Sequence, residues 1–124
     1  MLGSAELVAF VASADTGRAR RFYEGVLGLH FVSDDGFALV LDANGTTLRV
    51  AKVREFTPAP FTVLGWKVAN IARTISELEN RGVQFERFGF LQQDAMGVWI
   101  APSGDKVAWF KDPDGNLLSI TQPV

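Results

Sequence analysis

Short apolar runs separated by polar turns set the rhythm of this chain, and two stretches break it with helical spacing. Leu7 to Ala12 (LVAFVA) is an apolar run of strand length. Asp15-Thr16 follows, and an Asp at that point can accept from the first free N–H groups of a helix. Ala19, Phe22, Tyr23, Val26 and Leu27 then recur at steps of 3, 1, 3 and 1, which predicts a helix over 16–27 ended by Gly28. His30–Ser33, Phe37–Leu41 and Thr46–Val53 read as three strands. The turns between them are Asp34-Asp35-Gly36 and Asp42-Ala43-Asn44-Gly45.

Thr57-Pro58-Ala59-Pro60 interrupts this order. Proline removes a backbone donor and resists ladder and helix alike, so 57–60 reads as a connector between a first module, 5–56, and a second, 61–124. After it Thr62–Val68 reads as a strand, Asn70 as a cap, and Ile71, Ile75 and Leu78 as the apolar stripe of a helix over 71–81 ending at Gly82. Val83–Phe88 is expected to be a strand. Met96–Ala101 and Lys106–Phe110 are expected to form a hairpin, and Leu117–Thr121 closes the chain after the turn Asp112-Pro113-Asp114-Gly115-Asn116.

The second module therefore repeats the first. Asp15 matches Asn70 (70 − 15 = 55) and Val8 matches Val63 (63 − 8 = 55), while Gly28 matches Gly82 at an offset of 54. Asp42-x-x-Gly45 matches Asp112-x-x-Gly115 at an offset of 70, so the second half carries 70 − 54 = 16 extra residues, around Gly89 to Ala101. Strand, cap, helix-ending glycine and late Asp-x-x-Gly turn recur together, which is the mark of an internal duplication within a single domain spanning 1–124.

Composition narrows the chemistry. With 124 residues, 48% of them hydrophobic, the chain can bury a core without staples. A net charge of −2 gives no electrostatic reason to expect a nucleic-acid partner. No apolar run is long enough to span a membrane, and the N-terminal stretch lacks the build of a signal peptide, so the expected location is the cytoplasm. Cysteine is absent, which removes disulfides and thiolate chemistry, and the single histidine, His30, rules out a His-rich zinc centre.

Two segments carry a resemblance. Asp15 through Phe22-Tyr23-Glu24-Gly25-Val26-Leu27-Gly28 resembles the "D…FY..vLG" helix of the vicinal oxygen chelate superfamily, and Phe110-Lys111-Asp112-Pro113-Asp114-Gly115-Asn116 resembles its "F.DPdGN" turn. That superfamily contains glyoxalase I, extradiol dioxygenases, fosfomycin-modifying enzymes and bleomycin resistance proteins. The resemblance runs from about Leu7 to Gln122. It implies an α+β fold of two βαβββ modules, with a curled mixed antiparallel sheet enclosing a cavity, and a two-fold homodimer.

Metal-dependent members hold a divalent ion with side chains from the first and last strands of each module. Carried across by register, those positions fall on Val8, Arg49, Val63 and Ser119. Two valines have no lone pair to offer, a lone serine hydroxyl is a poor ligand, and an arginine cation repels a metal ion. The expectation is therefore no metal and no cofactor. A strand slipped by two residues would offer Glu6 instead, with His30 as a second donor.

Strand alternation assigns the expected lining. Val8 and Phe10 share one face of the first strand, and Val63, Gly65 and Lys67 share one face of its counterpart. Ser119 lies on the last strand, with Val11, Trp66, Val68, Leu118 and Ile120 packed under the helices. Trp99 and Trp109 are candidates for stacking on a ligand or for core. Arg49 and Lys67 would bind a carboxylate, enolate or phosphate, or else extend into water from strand ends. The insert Phe88–Trp99 would cap the cavity mouth, or form a core hairpin or dimer contact. The expected function is metal-independent binding of an apolar or aromatic small molecule, as in antibiotic resistance. The alternative is a glyoxalase-like lyase or dioxygenase-type enzyme, with Glu6 or His30 as base.

Overall fold

The computed structural model describes residues 1–124, which divide into two units, Met1–Pro58 and Ala59–Val124. In the first unit, β1 (Val8–Ser13) is followed by a helix α1 (Thr16–Arg20) that continues as one π-helical segment (Arg21–Val26). Then come β2 (His30–Asp34), β3 (Ala38–Ala43) and β4 (Thr46–Lys52). The strand order is β1-β4-β3-β2, with β1 parallel to β4 and the other pairs antiparallel. This is one βαβββ module.

The helix predicted over 16–27 widens halfway. Leu27 N–H donates to the Phe22 carbonyl five residues back, 2.9 Å away. The wider winding brings the adjacent Phe22 and Tyr23 both inward, where their rings meet edge to face at 5.2 Å. They pack with Val11, Leu39, Leu41, Leu48 and Val50 on the covered face of the sheet. Asp15 Oδ1 caps the first turn by accepting from Arg18 N–H at 3.1 Å.

The second unit contains β5 (Thr62–Lys67), helix α2 (Ile71–Asn80), β6 (Trp99–Ile100), β7 (Lys106–Lys111) and β8 (Leu117–Gln122). Its strand order, β5-β8-β7-β6, repeats that of the first unit position for position. Ile71, Ile75 and Leu78 of α2 are buried against Ala108, Phe110, Leu118 and Ile120 of the sheet. Asn70 Oδ1 caps α2 through Arg73 N–H at 3.0 Å. Gly45 and Gly115 have φ of 95° and 90°, so both late Asp-x-x-Gly turns need the left-handed backbone that glycine adopts without strain.

The expected strand Val83–Phe88 is absent. Only Phe85 bridges to Phe110 of β7, and regular pairing resumes at Trp99↔Val107. The paired numbers sum to 195 and then 206, so eleven residues bulge out of what would have been one strand. The reason is local competition for backbone groups. Gln93 accepts from Phe88 N–H and donates to the Glu86 and Gly97 carbonyls. Arg87 donates to the Asp94 and Ala95 carbonyls, and Asp94 accepts from Met96 and Val98 N–H. Side chains satisfy here what a neighbouring strand would otherwise satisfy. The expected hairpin strand over Met96–Ala101 shrinks to Trp99–Ile100 for the same reason.

Each four-stranded sheet is open, with β1 and β2 the edges of one and β5 and β6 the edges of the other. Neither α1 nor α2 is long and apolar enough to cross a membrane.

Candidate functional site

Each sheet has a face not covered by its helix. In the first unit that face carries Val8, Phe10, Val40 and Arg49, because Phe10, Arg49 and Val40 share a register row. Val8 and Phe10 are exposed there at 43% and 62%. Arg49 is not free. Its Nη2 lies 2.6 Å from Asp35 Oδ2, in the turn after β2. The Arg49 guanidinium, followed by the Phe37 and Ala38 N–H groups, pulls the Asp35 carboxyl down to about 2. In the same turn the Lys52 ammonium, at 2.9 Å, and the Gly36 N–H lower the Asp34 carboxyl. Glu6 precedes β1 and His30 begins β2, and both are exposed.

The corresponding face of the second unit is more elaborate. Gly65 pairs with Ser119, and Ser119 pairs with Trp109, so the three form one row across β5, β8 and β7. Lys67, Thr121, Val107 and Trp99 form the next row, across all four strands. Ser119 is buried, and a Cβ built on Gly65 would come within 2.8 Å of its Oγ. Glycine at 65 is what lets the serine hydroxyl lie over β5.

Val63 departs from the expected alternation. A bulge between Thr62 and Leu64 leaves it without a register partner, so Thr62 takes the place opposite Leu117. Thr62 Oγ1 then accepts from Trp109 Nε1 at 3.1 Å, which fixes the indole on this face.

Four aromatic rings gather beside that hydrogen bond. Trp99 and Trp109 have centroids 6.0 Å apart at 37°, and Phe88 meets Trp109 edge to face at 5.4 Å. Phe90 lies 5.8 Å from Phe88 and is 84% exposed. The insert Phe88–Trp99 thus contributes three of the four rings, Phe88, Phe90 and Trp99. The sequence pointed to the insert Phe88–Trp99 as a whole and not to Phe88 and Phe90 singly; a turn brings the two together, the Phe88 carbonyl accepting from Leu91 N–H at 3.0 Å. Thr62 was missed because the bulge carries no sequence signature.

The four positions that the resemblance assigns to a divalent ion do not fit one here. Val8 and Val63 have no donor, Arg49 is a cation held by Asp35, and the Ser119 hydroxyl packs against Gly65. Elsewhere no three His, Asp or Glu side chains cluster as a metal-holding group.

Residues 6–120 match the family model described as the Glyoxalase/Bleomycin resistance protein/Dioxygenase superfamily. No curated protein sequence matches the chain. Among solved structures, a member of the same superfamily from Sphaerobacter thermophilus superposes with a TM-score of 0.77 at 21% identity, covering 98% of this chain and 99% of that one. The bleomycin resistance determinant encoded on transposon Tn5 gives 0.75 at 22% identity, covering 97% and 98%. TnmS3, an antibiotic binding protein from Streptomyces sp. CB03234, gives 0.71 at 21% identity, covering 100% and 99%. At these identities the likeness establishes the fold alone.

Proposed function

Because the chain belongs to the Glyoxalase/Bleomycin resistance protein/Dioxygenase superfamily, we propose that it is a metal-independent binder of a planar apolar or aromatic small molecule, held on the open face of β5-β8-β7-β6. The observation that carries this reading is the stack of Phe88, Phe90, Trp99 and Trp109, with Trp109 fixed by Thr62. Phe90 is exposed and Phe88, Trp99 and Trp109 are half-buried, so a flat ligand laid on them gains apolar burial and stacking at once. Capture by shape needs no Lewis acid, which agrees with the residue types at the four family positions. An antibiotic binding protein and a bleomycin resistance determinant among the structural neighbours make natural-product antibiotics a reasonable ligand class to test first.

The reading includes a homodimer. Phe10 and Phe37 of the first unit are 62% and 81% exposed, apolar surface that a second copy would cover. Light scattering at high concentration should return twice the chain mass.

The function is tested by a thermal-shift and tryptophan-fluorescence screen of planar aromatic compounds, run in chelator and again with Zn, Ni, Mn or Fe. Ligands should raise the melting temperature equally in both conditions. Binding or turnover that appears only with added metal would overturn the proposal.

A further inference from the structure

The two cations on the open faces differ in one respect. Arg49 is committed to Asp35 at 2.6 Å. Lys67 makes no ion pair and no side-chain hydrogen bond. It stands at the end of β5, beside a cleft of about 450 Å³ lined by Gly65, Trp66, Lys67, Asp105, Thr121 and Pro123. The Ser119 hydroxyl lies over Gly65 at one side of that cleft, and Thr121 lines its wall.

Lys67 also lies in the same register row as Trp99, through Thr121 and Val107. Three strand spacings separate the ends of that row, about 14 Å between backbones. The flexible lysine stem shortens the gap from one side and the Trp99 and Trp109 indoles from the other. A fused-ring compound on the indoles can therefore project a substituent to the ammonium.

We propose that the site takes aromatic acids: the ring system lies on Trp99 and Trp109, and its carboxylate or equivalent oxyanion is held by Lys67 in the cleft. This rests on the binding reading above and adds the charge of the ligand to it. The cleft has one opposing charge, the Asp105 carboxylate. That group is partly engaged, since its Oδ1 accepts from Val124 N–H at 3.1 Å. It reduces the anion's affinity and selects against ligands that do not bring their charge close to Lys67.

The test is calorimetric titration with anthraquinone-2-carboxylate and the neutral anthraquinone-2-carboxamide. The wild-type protein should prefer the carboxylate about fivefold, the scale of a partly exposed charge-assisted contact. Lys67→Met should bring the ratio close to one, chiefly by weakening the carboxylate. Lys67→Arg should keep the preference, and Asp105→Asn should enlarge it. A wild-type ratio near one, or a preference that survives in Lys67→Met, overturns the assignment of the charge while leaving aromatic binding intact. If neither probe binds, the binding reading fails and this inference fails with it.

Discussion

Ser119 Oγ occupies the space that a side chain at position 65 would need, 2.8 Å from where a Cβ on Gly65 would stand. Two strands thus share one side-chain volume on the open face. Gly65→Ala should destabilise the protein by about 1–2 kcal/mol, the scale of a local overpacking, as Ser119 is driven off its rotamer. Removing the hydroxyl should relieve the clash, so Gly65→Ala with Ser119→Ala should be more stable than the two separate losses predict. Urea denaturation of the four proteins in the cycle measures the coupling.

The ion pair of Asp35 with Arg49 should show in acid. Asp35 has a folded value of about 2 against an ordinary value of 3.8. A depressed carboxylate stabilises the fold above its unfolded value and loses that contribution as pH falls through the folded one, here from about 4 to about 2. Arg49→Met removes the first cause of the depression and should return the carboxyl toward the ordinary range. Carbon-detected NMR titration of the Asp35 carboxyl reads this directly. An unchanged midpoint in Arg49→Met would show that the Phe37 and Ala38 N–H groups hold the charge unaided.

The element order was legible because apolar spacing, caps and glycine turns agreed along most of the chain. Asp15, Asn70, Gly45 and Gly115 do in the structure what their types predicted. Illegible parts were those decided by side-chain competition for backbone groups. Nothing in Val83–Phe88 announces that Gln93, Arg87 and Asp94 will hold the segment out of the sheet. The bulge at Val63 hides in the same way, since the alternation on both sides of it looks regular. The chemistry of Val8, Arg49, Val63 and Ser119 as a ligand set is a matter of residue type and is read from the sequence. Trp99, Trp109 and the aromatic insert stood out in the sequence, but the meeting of Phe88 and Phe90 with Trp109 did not, because it depends on the bulged insert.

The Asp112–Asn116 turn is held by the side chain of its first residue. Asp112 Oδ1 accepts from Asp114 N–H and Asn116 N–H, each at 2.9 Å, and Oδ2 accepts from Asn116 Nδ2 at 2.8 Å. Both residues are 5% exposed, so water cannot replace the lost acceptor. Asp112→Ala should cost about 2–3 kcal/mol. Asp112→Asn should cost less, because one oxygen survives while its amide faces the Asn116 amide. Guanidinium unfolding with equal slopes would check both. A loss under about 0.5 kcal/mol for Asp112→Ala would mean that the turn holds by backbone geometry alone.

Thr62 and Trp109 allow ligand binding to be separated from stability. The Trp109 N–H is near solvent, so losing its acceptor in Thr62→Val should change stability by less than about 1 kcal/mol. It should nevertheless free the indole to rotate, and a ligand would then pay to fix it. The expected result is about threefold weaker aromatic binding in Thr62→Val, seen as a shifted quenching midpoint. Trp109→Leu removes the stacking surface itself and should weaken binding by about tenfold or more. The order of the two effects carries the argument. If Thr62→Val matched Trp109→Leu, the hydroxyl would be touching the ligand. If neither moved the midpoint, the ligand would lie away from this face.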